Sequence, residues 1–340
     1  MSHITGLEVV YCDENGFKEH AWQDNVLGVI QYGLHDNIQN ESEYLPKMFV
    51  KTSVVGAPEY YELWLIDKKV TYSRSGNFVI GFDNENLFGC CSYSTSCDLS
   101  LSELAESIYD EALTLTTKHN YPYLYRAWNY IPNISEKDCS GDTRYEAFNL
   151  GRHCAFDKKH KEGTIFKYPA STAVGSISNN MCMCFLSSAK KKYVPIENPR
   201  QIAAYNYRPQ YGIRPPVFSR AVYIEHDNSD FSIFVSGTAS IVRSESVYPA
   251  NIEKQCNETL YNIRALISEE NLHKHGIHQS CTLSDIRTLK VYLKDKKDAP
   301  IVRVILEEKL STNIQTAYVQ ADLCRSDLLV EIEGILSGKS

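Results

Sequence analysis

The order of secondary-structure elements predicted from this 340-residue sequence repeats once, and this repeat constrains the fold more than any other feature. In each half, strand-like runs precede an amphipathic helix, and further strands follow it. The helices are predicted over about 101–118 and 251–268, because apolar residues recur there at helical spacing. The two apolar stripes consist of Leu101, Leu104, Ile108, Ala112 and Leu113, and of Ile252, Cys256, Leu260, Ile263 and Leu266. Strands followed by helices, twice, indicate two α+β units of one architecture side by side.

Runs of β-branched and aromatic residues predict the strands. They fall at 60–66, 77–82 and 123–131 in the first half, and at 221–225, 231–236, 286–293, 313–322 and 328–333 in the second. Two more helices are predicted, one that starts near Thr143 and one at about 299–311. The segment 169–188 is too polar and too rich in small residues for an obvious helix, so it is interpreted as a linker or as a loop that enters a site.

Charge, hydropathy and cysteine spacing exclude several classes of protein. A net charge of −7, with three lysines at 190–192 as the densest basic run, argues against a nucleic-acid surface. No run of about 18 apolar residues and no signal-peptide pattern is present, so we expect a cytoplasmic protein without a membrane segment. The 11 cysteines form no pair of CxxC motifs, which favours reduced thiols. His273, His275 and His278 lack matching ligands, so no metal site is predicted.

Two carboxylates interrupt the apolar C-terminal strand predicted at 328–333. Alternation along a strand places Glu331 and Glu333 on one face and Val330 and Ile332 on the other. A carboxylate among buried residues is costly unless it is solvated, paired or protonated, and a carboxyl that stays protonated near neutral pH is what a general acid requires. The strand is therefore a candidate for catalysis. The alternative is an amphipathic edge strand whose glutamates face water.

Many of the 23 tyrosines lie close to arginines. Such groups occur at 121–126, 144–145 and 205–208. Tyrosine packs as an apolar ring that offers one hydroxyl, and arginine grips a carboxylate through two parallel hydrogen bonds. Because an acidic protein that binds an anionic small molecule must concentrate arginines locally, these segments are candidates for a binding site. The alternative is an ordinary aromatic core and its rim.

Four short motifs follow one another in the second half of the chain, at 216–222, 236–238, 284–295 and 330–333. With these motifs the second half resembles the RidA/YjgF fold. The resemblance implies an α+β class with mixed sheets, helices packed on one face, and two such units that form a pseudo-oligomer within one chain. The implied parts are an N-terminal domain at 1–168, a connecting segment at 169–195, and a C-terminal domain at 196–340 that carries the glutamates. A monomer is then expected, with a homotrimer through residual interface as the alternative.

Six ordered motifs extend over most of the chain, at 126–132, 145–152, 198–207, 211–221, 236–242 and 324–333. With them the chain resembles the chorismatase family, the FkbO-like chorismate-transforming enzymes. The resemblance implies a lyase that binds the small molecule chorismate and releases pyruvate from it. It also implies that neither a cofactor nor a metal takes part.

The resemblance assigns roles to individual residues. The acid that protonates the enolpyruvyl methylene corresponds to Glu331, with Glu333 as the alternative because the two share a face. Arg152 and Arg214 are expected to hold the carboxylates of chorismate. Arg208 is a weaker candidate, because its neighbourhood departs from the tyrosine-proline order of the family. The residues expected to supply hydroxyls and ring packing are Tyr145, Tyr205 and Tyr211.

Two positions indicate the product. The branch of the family that forms 3-hydroxybenzoate carries a glycine in its Ser-Gly-Thr motif and a cysteine seven residues before the glutamate, and this chain has Gly237 and Cys324. Gly237 would leave room for the ring, and the Cys324 thiol would assist proton movement or steer the hydroxyl during aromatisation. The alternatives within the family are hydrolysis to a dihydroxycyclohexadiene carboxylate, or a mixture of 3- and 4-hydroxybenzoate. An alternative of another class is a RidA-like imine deaminase or ligand-binding protein, which 316–318 disfavours because RidA proteins carry an arginine near there.

Overall fold

The computed structural model describes residues 6–20, 23–36, 45–95, 99–138, 141–164, 166–190, 193–226, 230–311 and 313–339. In these ranges the chain forms one four-stranded sheet, two six-stranded sheets and one two-stranded sheet. None of the helices described is long and apolar enough to cross a membrane.

Residues 8–65 form a four-stranded sheet, here called the N-terminal sheet, with one short helix. Its elements are β1 (Glu8–Cys12), α1 (Glu14–His20), β2 (Val26–Gly33), β3 (Lys47–Lys51) and β4 (Glu59–Leu65). The strand order is β1-β4-β2-β3, with β2 and β3 parallel and the other neighbours antiparallel. The ring of Phe17 stacks on Tyr61 with 4.6 Å between the ring centroids, which fixes α1 on the sheet.

Residues 71–188 form the first unit, a six-stranded sheet with two long helices on one face. Its elements are β5 (Thr71–Ser75), β6 (Phe78–Phe82), β7 (Asn86–Ser94), α2 (Leu101–Lys118), β8 (Tyr123–Pro132), α3 (Arg144–Lys161), β9 (Ala170–Ser176) and β10 (Asn180–Ser188). The strand order is β5-β6-β7-β10-β8-β9, and β8 and β9 are parallel. Both helices start at capping boxes, formed by Ser100 with Glu103 and by Thr143 with Glu146.

Residues 193–339 form the second unit, which has the same architecture. Its elements are β11 (Tyr193–Ile196), β12 (Ala221–Glu225), β13 (Asp230–Ala239), β14 (Ile241–Val242), β15 (Glu245–Ser246), α4 (Ile252–Leu266), α5 (Glu269–Lys274), β16 (Ile286–Leu293), α6 (Ala299–Lys309), β17 (Gln315–Gln320) and β18 (Val330–Lys339). The order of the six-stranded sheet is β11-β12-β13-β18-β16-β17, and β16 and β17 are parallel. The short strands β14 and β15 pair with each other.

The two units share one topology, strand for strand. In each of them the last strand returns to the middle of the six-stranded sheet, between the strands that come third and fourth in that sheet along the chain. The N-terminal sheet repeats the inner part of this pattern, because β1-β4-β2-β3 corresponds to β13-β18-β16-β17, including the parallel pair. The chain therefore contains two complete copies and one partial copy of the same α+β fold.

Three buried tyrosines occupy equivalent positions in the three copies: Tyr32 in β2, Tyr130 in β8 and Tyr292 in β16. The hydroxyls of Tyr32 and Tyr130 lie 2.6 Å apart. The residues opposite the three tyrosines on the neighbouring strands are Tyr60, Cys182 and Glu331. Side chains of all three copies contribute to one shared hydrophobic core. The copies thus pack against one another as subunits of a trimer would, but within one chain.

The α+β class and the two repeated units with helices on one face are confirmed, and α2, α4, α6 and β16 match their predicted ranges closely. The segment 169–195, predicted as a connection, contains β9 and β10, which are strands of the first unit's sheet. The composition of β9 reflects its packing, since a Cβ on Gly175 would lie 2.9 Å from Cβ of Asp322 in the second unit. Small residues in this segment therefore mark close contact between units.

Candidate active site

A cavity of about 470 Å³ lies between the first and the second unit. Its walls come from α3 and β9 of the first unit and from β13, the segment before β12, and residues 324–331 of the second unit. The units are joined beside it by hydrogen bonds, including one of 2.9 Å from the backbone N–H of Ser171 to Oγ of Ser236. The lining side chains that carry the chemistry are Tyr145, Arg152, Arg220, Cys324 and Glu331, next to Gly237.

Glu333 is a buried, fully paired carboxylate. It accepts hydrogen bonds from Arg126 Nη2 at 2.7 Å and from Lys290 Nζ at 2.9 Å. Thr172 Oγ1 donates a further hydrogen bond at 2.5 Å, and Trp128 Nε1 donates one at 2.9 Å. Burial alone would raise the pKa of Glu333, but the charges of Lys290 and Arg126 and these hydrogen bonds lower it to about 2. Glu333 is therefore ionised near neutral pH.

Glu331 lies two residues earlier on the same face of β18. Unlike Glu333, it has an environment that favours the protonated form. Its side chain lines the cavity although the residue is 4% exposed, and no described residue donates a hydrogen bond to it. Burial raises the pKa of Glu331 to about 8, with the charge of Glu333 as the second cause, while Arg126 and Arg220 oppose the shift. At neutral pH this carboxyl carries a proton that it can give to a molecule in the cavity.

Gly237 lets the backbone of β13 approach Glu331 closely. A Cβ at this position would lie 1.9 Å from Oε1 of Glu331 and 3.2 Å from Cγ2 of Thr172. The N–H of Gly237 also donates a 3.0 Å hydrogen bond to Oγ1 of Thr172, whose hydroxyl donates to Glu333. The absence of a side chain at Gly237 thus makes room for the carboxyl of Glu331 itself, in addition to any ligand.

Two buried arginines face the cavity from opposite units. Arg152 in α3 donates to Oδ1 of Asn149 at 2.8 Å and to Oγ of Ser171 at 3.2 Å. Arg220 donates to the carbonyl of Ile202 at 2.9 Å and to the hydroxyl of Tyr207 at 2.8 Å.

Both guanidinium groups lie over the ring of Phe218, at 5.8 Å for Arg152 and 5.0 Å for Arg220. The buried Nε atoms of both have no hydrogen-bond partner among the described residues. Together the two arginines can hold a small molecule that carries carboxylates.

The other predicted residues divide into two groups. The structure brings Cys324 and Tyr145 to the same cavity as Glu331, Arg152 and Gly237. Burial, followed by the nearby Glu331, raises the pKa of the Cys324 thiol to about 12, so this thiol is protonated at neutral pH. Burial also raises the pKa of Tyr145.

The structure does not bring Arg208, Arg214 or Tyr205 into the described lining of the cavity. Arg208 and Arg214 are exposed, and Tyr205 packs against Tyr168 with 5.3 Å between ring centroids. The side chain of Tyr211 lies outside the described part of the structure.

Sequence reasoning missed Arg220 and Thr172. Arg220 was within the motif 211–221, but the two other arginine candidates nearby, Arg208 and Arg214, precede it in a segment without regular spacing. Which of the three turns inward depends on the path of residues 203–219, which no periodicity specifies. Thr172 belongs to β9, and its role depends on contact between the units.

Comparison with known proteins places these features in a family context. Residues 62–187 match the family model described as chorismatase FkbO/Hyg5-like, N-terminal. The chain is 32% identical to a 3-hydroxybenzoate synthase of Streptomyces hygroscopicus, with 92% of each protein covered. It is 30% identical to a chorismatase of the same organism, over 96% of this chain and 94% of that protein. A crystal structure of a chorismatase superposes with a TM-score of 0.88 at 28% identity and covers 98% of this chain and 99% of that one.

Proposed function

The chain belongs to the chorismatase family, and on this premise we propose that it converts chorismate into pyruvate and 3-hydroxybenzoate. The observation that carries the proposal is Glu331, a buried carboxyl without a hydrogen-bond donor among the described residues, beside a cavity that two arginines line. Chorismate carries two carboxylates and an enolpyruvyl ether. The cavity thus offers cations for the carboxylates and a proton for the ether.

In the proposed reaction Glu331 donates its proton to the methylene carbon of the enolpyruvyl group. The positive charge that develops on the ether carbon weakens the bond between the ring and the ether oxygen, so pyruvate becomes a good leaving group. Chorismate divides into pyruvate and 3-hydroxybenzoate without net uptake of water. The oxygen of the neighbouring ring hydroxyl bonds to the carbon that loses the ether oxygen, and the hydroxyl proton released restores the acid form of Glu331. The resulting epoxide opens by breaking the old carbon–oxygen bond, and loss of a ring proton with protonation of the oxygen gives 3-hydroxybenzoate.

Arg152 and Arg220 are proposed to orient the substrate by binding its carboxylates. Each has an Nε without a described partner, whereas neighbouring groups fix both terminal nitrogens of Arg152 and Nη2 of Arg220. Guanidinium groups that are already fixed lose little freedom when they bind a ligand. Phe218 between them and Tyr145 in the same lining would exclude water from the ring.

The product assignment is supported by Gly237 and Cys324, which match the 3-hydroxybenzoate-forming branch, and by the relative named 3-hydroxybenzoate synthase. The experiment is to incubate purified protein with chorismate, without added metal or cofactor, and to resolve the products by liquid chromatography with mass detection. Pyruvate and 3-hydroxybenzoate in equal amounts are expected. A dihydroxycyclohexadiene carboxylate would identify a hydrolytic chorismatase, and 4-hydroxybenzoate beside the 3-isomer a mixed synthase. Unconsumed chorismate would reject the proposal in favour of a RidA-like deaminase or binding protein.

Replacement of Cys324 by alanine is expected to change the product ratio more than the rate of chorismate consumption. The thiol lines the cavity and stays protonated, so it can guide proton movement during aromatisation but does not replace the acid. Product ratios should be measured beside Cys154→Ala, a control thiol on α3 outside the described lining. An unchanged ratio in Cys324→Ala would assign the thiol a packing role.

Replacement of Gly237 by alanine is expected to lower kcat by about 100-fold, because displacement of a catalytic group by about 1 Å lowers the reaction rate by roughly this factor. The added methyl group would overlap the carboxyl of Glu331, so the acid must move or the strand must shift. The melting temperature should be recorded with the kinetics. Full activity at an unchanged melting temperature would show that Glu331 does not act from the position described.

We further propose that the protein acts in the cytoplasm as a monomer. The nine cysteines in the described ranges are all free, as in proteins of reducing compartments. The packing of three copies of one fold within the chain supports a monomer, since the contacts of a trimer are already made internally. Light scattering at micromolar concentration should give a mass of about 39 kDa, the chain mass being 38.7 kDa. Three times this mass would identify the homotrimer.

A further inference from the structure

Building on the proposed function, we propose that Glu333 is a positioning residue whose fixed negative charge keeps the neighbouring Glu331 in its acid form. Glu333 belongs to a group of four charges, here called the central charge cluster, that consists of Glu62, Glu333, Arg126 and Lys290. These residues come from β4, β18, β8 and β16, so all three copies of the fold contribute. The N-terminal sheet would then act on the chemistry although none of its described residues lines the cavity.

The central charge cluster is compact and buried. Lys290 Nζ lies 2.6 Å from Oε2 of Glu62 and 2.9 Å from Oε1 of Glu333, and its side chain is fully buried. Arg126 Nη2 lies 2.7 Å from Oε2 of Glu333. Glu62 also accepts hydrogen bonds from the Tyr32 hydroxyl at 2.9 Å and from Trp64 Nε1 at 3.1 Å. Two carboxylates and two cations sum to a net charge of zero.

Within the central charge cluster this balance leaves no unpaired cation for an ionised Glu331. Its side chain lies beside Glu333 on one face of β18, and the donors around Glu333 already form hydrogen bonds with it. A second carboxylate here would give the cluster and its neighbour a net charge of −1 in a buried environment, which is costly. The proton on Glu331 avoids this cost.

The other groups that face Glu331 are either neutral or positively charged. Cys324 and Tyr145 are neutral, since the pKa values of both are raised by burial. Arg152 lines the same cavity, and Arg220 and Arg126 lower the pKa of Glu331 without cancelling the effects of burial and of Glu333. When the carboxylates of a bound substrate neutralise Arg220 and Arg152, part of this opposition disappears. Substrate binding should therefore raise the pKa of Glu331 further. The carboxyl would then stay protonated until the methylene carbon is in position to accept the proton.

A purely structural role for the cluster makes a different prediction. If its charges only hold the three copies together, every substitution lowers stability and activity, and the pH dependence does not depend on the sign of the charge removed. If Glu333 acts electrostatically, removal of a negative charge and removal of a positive charge displace the pH dependence in opposite directions. The sign of the displacement separates the two roles.

The experiment compares Glu333→Gln, Glu62→Gln and Lys290→Met, which retain side-chain size approximately. The first two leave the cluster with a charge of +1, and the third leaves it with −1. Activity with chorismate requires protonated Glu331 and is lost as the pH rises through its pKa. We expect the alkaline limb of kcat/KM to move down by about one pH unit in Glu333→Gln, less in Glu62→Gln, and up in Lys290→Met. The proposal would be overturned if the alkaline limb moved in the same direction after removal of a carboxylate and after removal of Lys290, or if it did not move in either case.

A second measurement does not depend on turnover. The carbonyl stretch of a protonated carboxyl in the infrared difference spectrum, identified by its loss in Glu331→Gln, can be titrated without substrate. It should disappear near pH 8 in the parent protein and at lower pH in Glu333→Gln. If the band disappears at lower pH in Glu333→Gln than in the parent protein, but the parent protein does not convert chorismate, the role of Glu333 is retained and the proposed function is rejected. A band that titrates identically in both proteins would reject the role of Glu333. If Glu333→Gln does not fold, the opposite signs of Glu62→Gln and Lys290→Met decide.

Discussion

Replacement of Glu331 by glutamine should lower kcat for chorismate by about 1,000-fold, within the range that general acid catalysis contributes, and leave KM within a few-fold. The amide has nearly the shape of the protonated acid and therefore keeps the packing of the cavity. It has no proton of suitable acidity to transfer to carbon. Stopped assays that detect pyruvate, together with substrate binding measured by calorimetry, separate the loss of chemistry from a loss of affinity.

The matched control is Glu308→Gln on the exposed face of α6, which should keep full activity. Retention of most activity in Glu331→Gln would transfer the role of acid to another group or reject the mechanism. Glu333 is the alternative from the sequence, but its four close donors hold it ionised, so the geometry favours Glu331.

Replacement of Arg220 by methionine should lower kcat/KM by about 100-fold, mainly through KM, because a charged hydrogen bond to a substrate carboxylate is worth about 2–3 kcal/mol. Arg220 is buried at the cavity wall, and its Nε has no partner in the described structure. Methionine fills a similar volume without the charge. Initial rates over a range of chorismate concentrations give the two constants separately.

The control is Arg287→Met, an exposed arginine at the start of β16. Arg214→Met and Arg208→Met belong in the same series, because both arginines remain predicted ligands from the sequence although both are exposed. A loss in either of them that equals the loss in Arg220→Met would show that the segment carrying it reaches the substrate. Normal kinetics in Arg220→Met would remove Arg220 from the binding site.

The sequence predicted features that depend on local pattern. The helices at 101–118 and 251–268 follow from apolar stripes, and the terminal strand follows from alternation. The same alternation placed Glu331 and Glu333 on one face, which the buried positions of both side chains agree with. Local pattern could not distinguish an acid from a paired carboxylate, because the donors to Glu333 come from β8, β9 and β16, far away in the sequence.

Features that depend on contacts between copies were not predictable in this way. The N-terminal sheet has short strands, and its topological similarity to the two units is visible only in the order in which its strands pair. The strand β9 consists of small and polar residues because both of its faces are buried, which removes the alternation that normally identifies a strand. Arg220 was missed for a related reason, since residues 203–219 follow an irregular path.

The positions opposite the three equivalent tyrosines show how the copies have come to differ. In an assembly of identical subunits one gene encodes every interface, so a change at one of these positions occurs at all three. Here the same positions hold Glu331, Cys182 and Tyr60, three residues of unrelated chemistry. In a single chain each of these positions is encoded separately. One copy can therefore hold an acid while the equivalent positions of the other two hold no unpaired carboxyl.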